Sequence, residues 1–289
     1  MKAITGFIAA LLLLCGSLTL SAQNVLNNKR PLDGPYVPEH LENRKPIPYS
    51  SLREADVMWS KRIWRVIDLR EKMNLPLKFP DEKDQDLLDR QSLWMVIRKG
   101  VLDGSLTAYG NPVMDDEFQL ELTPAQAQAL MDTFEIKLVP NINDPNILDS
   151  TKVPLTTGTE DIVQYWLKED WFFDKQRSVM DVRIIGIAPV KEGKDDAGEF
   201  RSFKPIFWLY FPACRNYFAR HQVFNRQNDA EKRSFEDVFA KRLFSSYIKK
   251  EANVYNRYIS QYATNIDALI ESDNIKEKVF ETEHDMWHF

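Results

Sequence analysis

The chain predicts an α+β fold, with antiparallel strands, flanking helices and a largely helical C-terminal third. The strand half rests on residues 179–190 and 205–211, rich in β-branched and aromatic side chains. The run KEGKDDAG over 191–198 joins them as a β-hairpin would. The helical half rests on Ser234 to Ile259, where Phe235, Val238, Phe239, Leu243 and Tyr247 recur at helix spacing. Phe244, Ile248, Tyr255 and Ile259 make a second stripe, turned by roughly 100° or more at 3.6 residues per turn. A helix apolar on two sides is either central to its own core or shared with a partner, and Phe244 and Ile248 are the residues a partner would cover.

Taken in order, the amino terminus reads as a secretory signal over 1–22. Lys2 supplies the charge, Phe7 to Leu14 the apolar stretch, and Ser21-Ala22 the small residues before a cut between Ala22 and Gln23. The apolar run is too short for a spanning helix, which needs about 20 residues. Lipidation at Cys15 is disfavoured because Leu14, not a small residue, precedes it. Residues 23–50 carry Pro31, Pro35, Pro38, Pro46 and Pro48, which favour an extended arm. It is either a solvated tail or a strap across a neighbouring subunit anchored by Tyr36, Val37 and Tyr49.

Residues 51–289 form the α+β core. Ser51-Leu52-Arg53-Glu54 reads as a capping box opening a helix with Leu52, Ala55, Trp59, Ile63, Val66 and Ile67 on one face, stopped by Pro76. Its outer face carries Lys61, Arg62, Arg65 and Arg70, either a solvated face paired with nearby acids or a dock for an acidic partner. A helix over 93–101, strands over 105–109 and 115–122, and a helix from Thr123-Pro124 through Phe134 follow. Residues 140–158 have loop chemistry, so 141–158 is a candidate boundary between 51–140 and 159–289. Residues 161–171 fit a helix or, given Trp166 and Trp171, a strand. Pro212 begins a helix carrying Cys214 and Tyr217.

Composition narrows the function. The chain has 38 basic and 43 acidic residues, net −5, and loss of Lys2 with the signal leaves −6. That is not the basic footprint of a nucleic-acid binder. The mature chain keeps Cys214 alone, so it has no internal disulfide. With 267 residues it is long enough for a substantial core.

Four runs in chain order carry a resemblance: READVMWSKRIWRVIDLREKMNLPL (53–77), FWLYFPACRNYFARHQVFN (207–225), FAKRLFSSYIKKEANVYNRYI (239–259) and IKEKVFETEHDMW (275–287). Together they resemble the GldN/PorN family, periplasmic subunits of the gliding-motility and type IX secretion machinery of Bacteroidota. The resemblance implies a structural, non-enzymatic subunit without cofactors, peripheral to the outer membrane in the periplasm. It further implies a ring of copies of itself with a GldK/PorK-like outer-membrane lipoprotein, joined to the periplasmic part of a GldM/PorM-like motor shaft. Membrane contact would be indirect, and nucleic acid plays no part.

Enzyme-like patterns are weak. His284 and His288 stand at i and i+4 around Asp285, as zinc ligands can. However, the acid is one methylene shorter than the usual glutamate and the pair sits at the chain end. A periplasmic metal-dependent hydrolase is the alternative these residues allow, and a small-ligand binding module a third. Cys214 and His221 lie two helical turns apart, about 10 Å, too far for proton transfer. Seven tryptophans spread over the chain suit interfaces. Trp64 lies across the predicted helix from Trp59 and Ile63, so it is expected against another subunit.

Overall fold

The computed structural model describes residues 44–80, 91–110, 116–140, 148–194, 200–228 and 230–286. The expected signal peptide with Ala22 and Gln23, Tyr36 and most of the arm, and His288 lie outside these residues. Residues Asn43–Phe289 pack as one compact unit.

The first element overturns an expectation. Residues Val57–Asp68 are a 12-residue strand, β1, not a helix, and the expected capping box gives only a 3-10 turn over Glu54–Asp56. A short helix α1 (Leu75–Lys78) follows, then α2 (Leu93–Leu102), whose N-cap Ser92 accepts from the Met95 amide. The expected strands at 105–109 and 115–122 shrink to β2 (Ala108–Tyr109) and β3 (Glu121–Leu122). Helix α3 (Pro124–Met131) opens on a capping box between Thr123 and Gln126 and ends three residues short of the expected Phe134, giving way to β4 (Asp132–Pro140). The predicted loop 140–158 instead contains β5 (Leu148–Thr156), paired antiparallel with β4 as a two-stranded ribbon. Pro154 stands in that ribbon opposite Phe134.

Residues 161–171 resolve as strand: β6 spans Ile162–Asp174 and pairs with β7 (Val179–Lys194). Next come β8 (Phe200–Pro205), hydrogen-bonded to β7, and β9 (Trp208–Tyr210). Helix α4 (Phe211–Phe218) carries Cys214 and Tyr217 as expected. The small ribbon β10 (Gln222–Val223) and β11 (Arg233–Ser234) leads to α5 (Phe235–Ala240). The long helix read over Ser234–Ile259 stops there. Arg242 adopts the left-handed φ of 52°, and the chain re-enters as strand β12 (Tyr247–Glu251). The helical C terminus is α6, 22 residues from Asn265 to Met286.

The sheet runs β12-β1-β6-β7-β9-β2-β3, antiparallel throughout, so strands from both sides of 141–158 enter one sheet. Under α2, α4 and α5 its concealed side holds the main core, including Trp94, Tyr165, Phe207, Phe218 and Phe239. Each such side chain removed from water stabilises by about 2–3 kcal/mol before entropy. Trp94 also donates its Nε1–H to the Thr157 carbonyl at 3.0 Å. Under α6 a second cluster gathers Ile63, Ile248, Ile259, Ile275 and Val279.

Candidate partner interface

Directly opposed residues of an antiparallel ladder point to the same face. Ile63 opposes Glu169, and Arg65 opposes Leu167 and Ile248, which puts them on the α6 side. Trp64 opposes Lys168 and Lys250, and Val66 opposes Trp166, which puts these on the other side. Alternation along β1 makes this split, and a bulge in β12, opposite Trp64 and Arg65, makes β12 follow it. Ile248 and Lys250 are two apart and would share a face in a regular strand; the extra residue, Lys249, sends them to opposite faces.

Around Trp64 this bulge assembles cations on rings. The Lys249 ammonium sits 2.9 Å from the Trp166 ring centroid and 4.9 Å from that of Tyr258. The Lys250 ammonium sits 4.3 Å from the Trp64 ring and 5.0 Å from Tyr258. Lys168, only 2% exposed, donates to the Asp116 carbonyl at 2.5 Å and lies 5.3 Å from the Phe118 ring. Gly186 leaves room for that ring, since a Cβ there would meet Phe118 Cζ at 2.7 Å. One carboxylate serves the group: Asp116 accepts the Trp64 indole N–H at 2.6 Å and stands 3.5 Å from the Lys168 ammonium.

Burial acts first on these amines. It holds Lys168 and Lys250 below the ordinary lysine range, and with the neighbouring Lys250 charge it brings Lys249 down to about 7. Cation–π contact compensates by about 0.5–2 kcal/mol per pair, less than a carboxylate would. Three ammoniums thus gather around Asp116, with Asp170, already paired with Arg62, also acting on Lys168. The arrangement can attract an anionic surface. Arg62, also expected on a basic face, is neutralised by Asp170 at 2.6 Å.

The residues singled out from sequence fall in different places. Trp64 is half-buried on a strand, held by Asp116 and Lys250, rather than free on a helix surface. Tyr49 lies at the end of the proline-rich segment, its ring 3.9 Å from the Arg215 guanidinium and 5.1 Å from that of Arg183. Arg215 also donates to the Ile47 carbonyl at 2.6 Å, and Arg44 pairs with Asp237 at 2.6 Å. The strap at 44–50 is therefore tied to its own chain. Phe244 and Ile248, at 7% and 2% exposure, are covered by this chain's own residues. No spacing signal marked Lys168, Lys249 or Tyr258; only the strand assignment of 57–68 brings them together.

Cys214 donates to the Tyr210 carbonyl at 3.2 Å, and burial pushes its thiol up to about 12. His221 is bonded to the Tyr217 carbonyl through Nδ1 at 2.9 Å and is lowered by burial. Each is satisfied locally, in keeping with an unreactive buried thiol. Among the described residues no group of three or more His, Cys, Asp and Glu side chains is placed to hold a metal. No helix among them is long and apolar enough to cross a membrane.

Comparison with curated proteins finds no match. The sequence profile described as gliding motility associated protein GldN matches residues 52–288, from the turn before β1 to the end of α6 and just past it. Because that match takes in the whole sheet, both apolar clusters and the lysine–tryptophan face, the chain belongs to the GldN family of gliding motility associated proteins.

Proposed function

We propose that this chain is a non-enzymatic, periplasmic structural subunit of the type IX secretion and gliding-motility machinery. Copies of it repeat in a ring with an outer-membrane lipoprotein partner and meet the periplasmic part of the inner-membrane motor shaft. The observation that carries this is the family match over residues 52–288. The face around Trp64 is the subunit contact we assign within it. It joins large rings, which dominate interface energetics, to ammoniums that rest mainly on those rings, with one direct carboxylate contact, from Asp116 to Lys168. Repeated contacts between unlike surfaces close rings, and an anionic surface on the neighbour would complete this one.

Affinity purification of the full chain from detergent-solubilised envelopes, with mass spectrometry of what accompanies it, tests the assignment. Copies of the chain, a lipoprotein and a motor protein should be recovered together. Recovery of the chain alone as a monomer contradicts it. The purified chain by itself should not sediment with outer-membrane vesicles; if it did so without partners, dependence on the lipoprotein would be wrong.

A further inference from the structure

Across β1 from Trp64, a groove of about 570 Å³ opens between the sheet and α6. Ile63, Phe244, Ile248 and Val279 make its walls. Met73 and Phe280, 53% and 67% exposed, stand at its edge. Two guanidiniums line it, and their situations differ. Arg242 grips the buried Glu169 with both terminal nitrogens, at 2.9 and 3.1 Å. Glu169 also accepts the Trp171 indole N–H at 3.1 Å through the same oxygen that takes Arg242 Nη2, while its other oxygen faces Arg242 Nη1 as an ion-pair contact without a hydrogen bond.

Arg65 is 9% exposed and has no such partner. Its Nε donates to Ser246 Oγ at 2.9 Å and its Nη2 to the Ser246 carbonyl at 3.2 Å, both neutral acceptors. Among the described residues no carboxylate bonds to it. Burial and the nearby Arg242 charge both disfavour its charged form, while Glu169 favours it. Arginine stays protonated in proteins, so an incompletely neutralised cation faces the groove. On α6, Lys276 is paired with Asp273 at 2.7 Å, and Glu283 makes no bond to either arginine.

We propose that this groove binds a carboxylate carried on an apolar body, supplied by an extended segment of a protein partner. An aspartate or glutamate side chain would pair with Arg65, whose planar fork suits a carboxylate. A neighbouring large apolar side chain would lie between Met73 and Phe280. The volume is that of a specific pocket, apolar with a few convergent polar groups. Its apolar lining continues onto the exposed Met73 and Phe280, which an enclosed small acid would leave bare but a longer segment covers. The proposal goes beyond the ring assignment and does not depend on it.

The test is titration of the purified full chain with acetyl-Leu-Glu-Phe-amide, its glutamine counterpart and phenylpropionate, followed by isothermal calorimetry. The acidic peptide should bind saturably and the glutamine peptide at least about tenfold more weakly. Arg65→Met should erase that difference. It is expected to fold, because Glu169 keeps Arg242 and Trp171. Phe280→Ser, at an exposed edge, should weaken both peptides. Equal affinity for the two peptides, no binding, or binding unchanged by Arg65→Met overturns the site. Phenylpropionate binding as tightly as the acidic peptide overturns the protein-segment occupant. Were Arg65→Met to misfold, the comparison of the two peptides on the native chain and the Phe280→Ser result still decide.

Discussion

Arg65 looks toward α6 and Trp64 toward the opposite side of the sheet, one residue apart on the same strand, and the two sides treat buried positive charge differently. On the α6 side a fully buried carboxylate, Glu169, takes Arg242 in a two-point pair. On the Trp64 side Lys249 and Lys250 rest on indole and phenol rings, with Asp116 shared among several donors. A carboxylate answers a guanidinium charge for charge, and removing it leaves a charge without an answer. Rings screen an amine but do not cancel it, so the second side keeps positive potential available to a neighbour. In a chain of net charge −5, that potential is local and specific.

Substitutions should separate the two sides, in descending order of effect. Glu169→Gln removes the buried charge and strands Arg242. It should cost on the order of 3 kcal/mol in urea unfolding, as loss of one member of a buried pair does. A loss under about 1 kcal/mol would mean that the carboxylate is not what holds that side. Trp64→Ala should cost about 2 kcal/mol, since a half-buried indole gives less than the 3–5 kcal/mol of a fully buried ring. The bond to Asp116 means that the isolated protein cannot be indifferent to this change. That corrects the expectation, drawn from a helix, of an indole idle in the monomer.

Lys249 has a pH signature. With its folded value brought down to about 7 from the ordinary 10.5, the unfolded chain binds more protons between those values. Stability therefore rises with pH across that window, and the amine's destabilising effect is fully present below it. Lys249→Met should flatten the rise and stabilise by about 1 kcal/mol at pH 6, read as unfolding midpoints from pH 6 to 10. An unchanged slope would place the titration elsewhere. Arg65→Met should have the smallest effect, within about 1 kcal/mol of the native chain in either direction, because apolar replacements of imperfectly paired buried ions are often neutral or stabilising. A large loss would reveal an acidic partner for Arg65 among its neighbours.

The sequence displayed some of this and concealed the rest for identifiable reasons. Helices α2, α3 and α4 carried local punctuation, a serine cap before Leu93, Thr123-Pro124 and Pro212, and all three start within a residue of where expected, though α3 stops short of Phe134. Strand β1 was hidden because Trp59, Ile63 and Ile67 are four apart, a spacing that both a helix and a strand place on one face. Arg65, buried among them, broke the alternation that marks a strand. The break after α5 had no glycine to announce it; an arginine takes the left-handed turn at 242. Strand β5 was concealed by Pro154, a residue that argues against a strand wherever it falls within a run. Of the interface candidates, Trp64 was legible as an unusual ring among basic residues. The lysines around it depend on register and a bulge, which no local pattern encodes. Phe244 and Ile248 looked surplus only because a continuous helix would have left them facing outward.

The most direct test of the subunit contact combines Trp64→Leu, which keeps an apolar side chain, with Lys249→Met in the full chain. After its thermal unfolding is shown to be cooperative, the double variant is expressed in place of the native chain and purified from detergent-solubilised envelopes. Recovery of accompanying lipoprotein and motor protein should fall at least about tenfold, as expected when an interface hot spot is removed. Recovery equal to the native chain, from a folded variant, would contradict the assignment of this face.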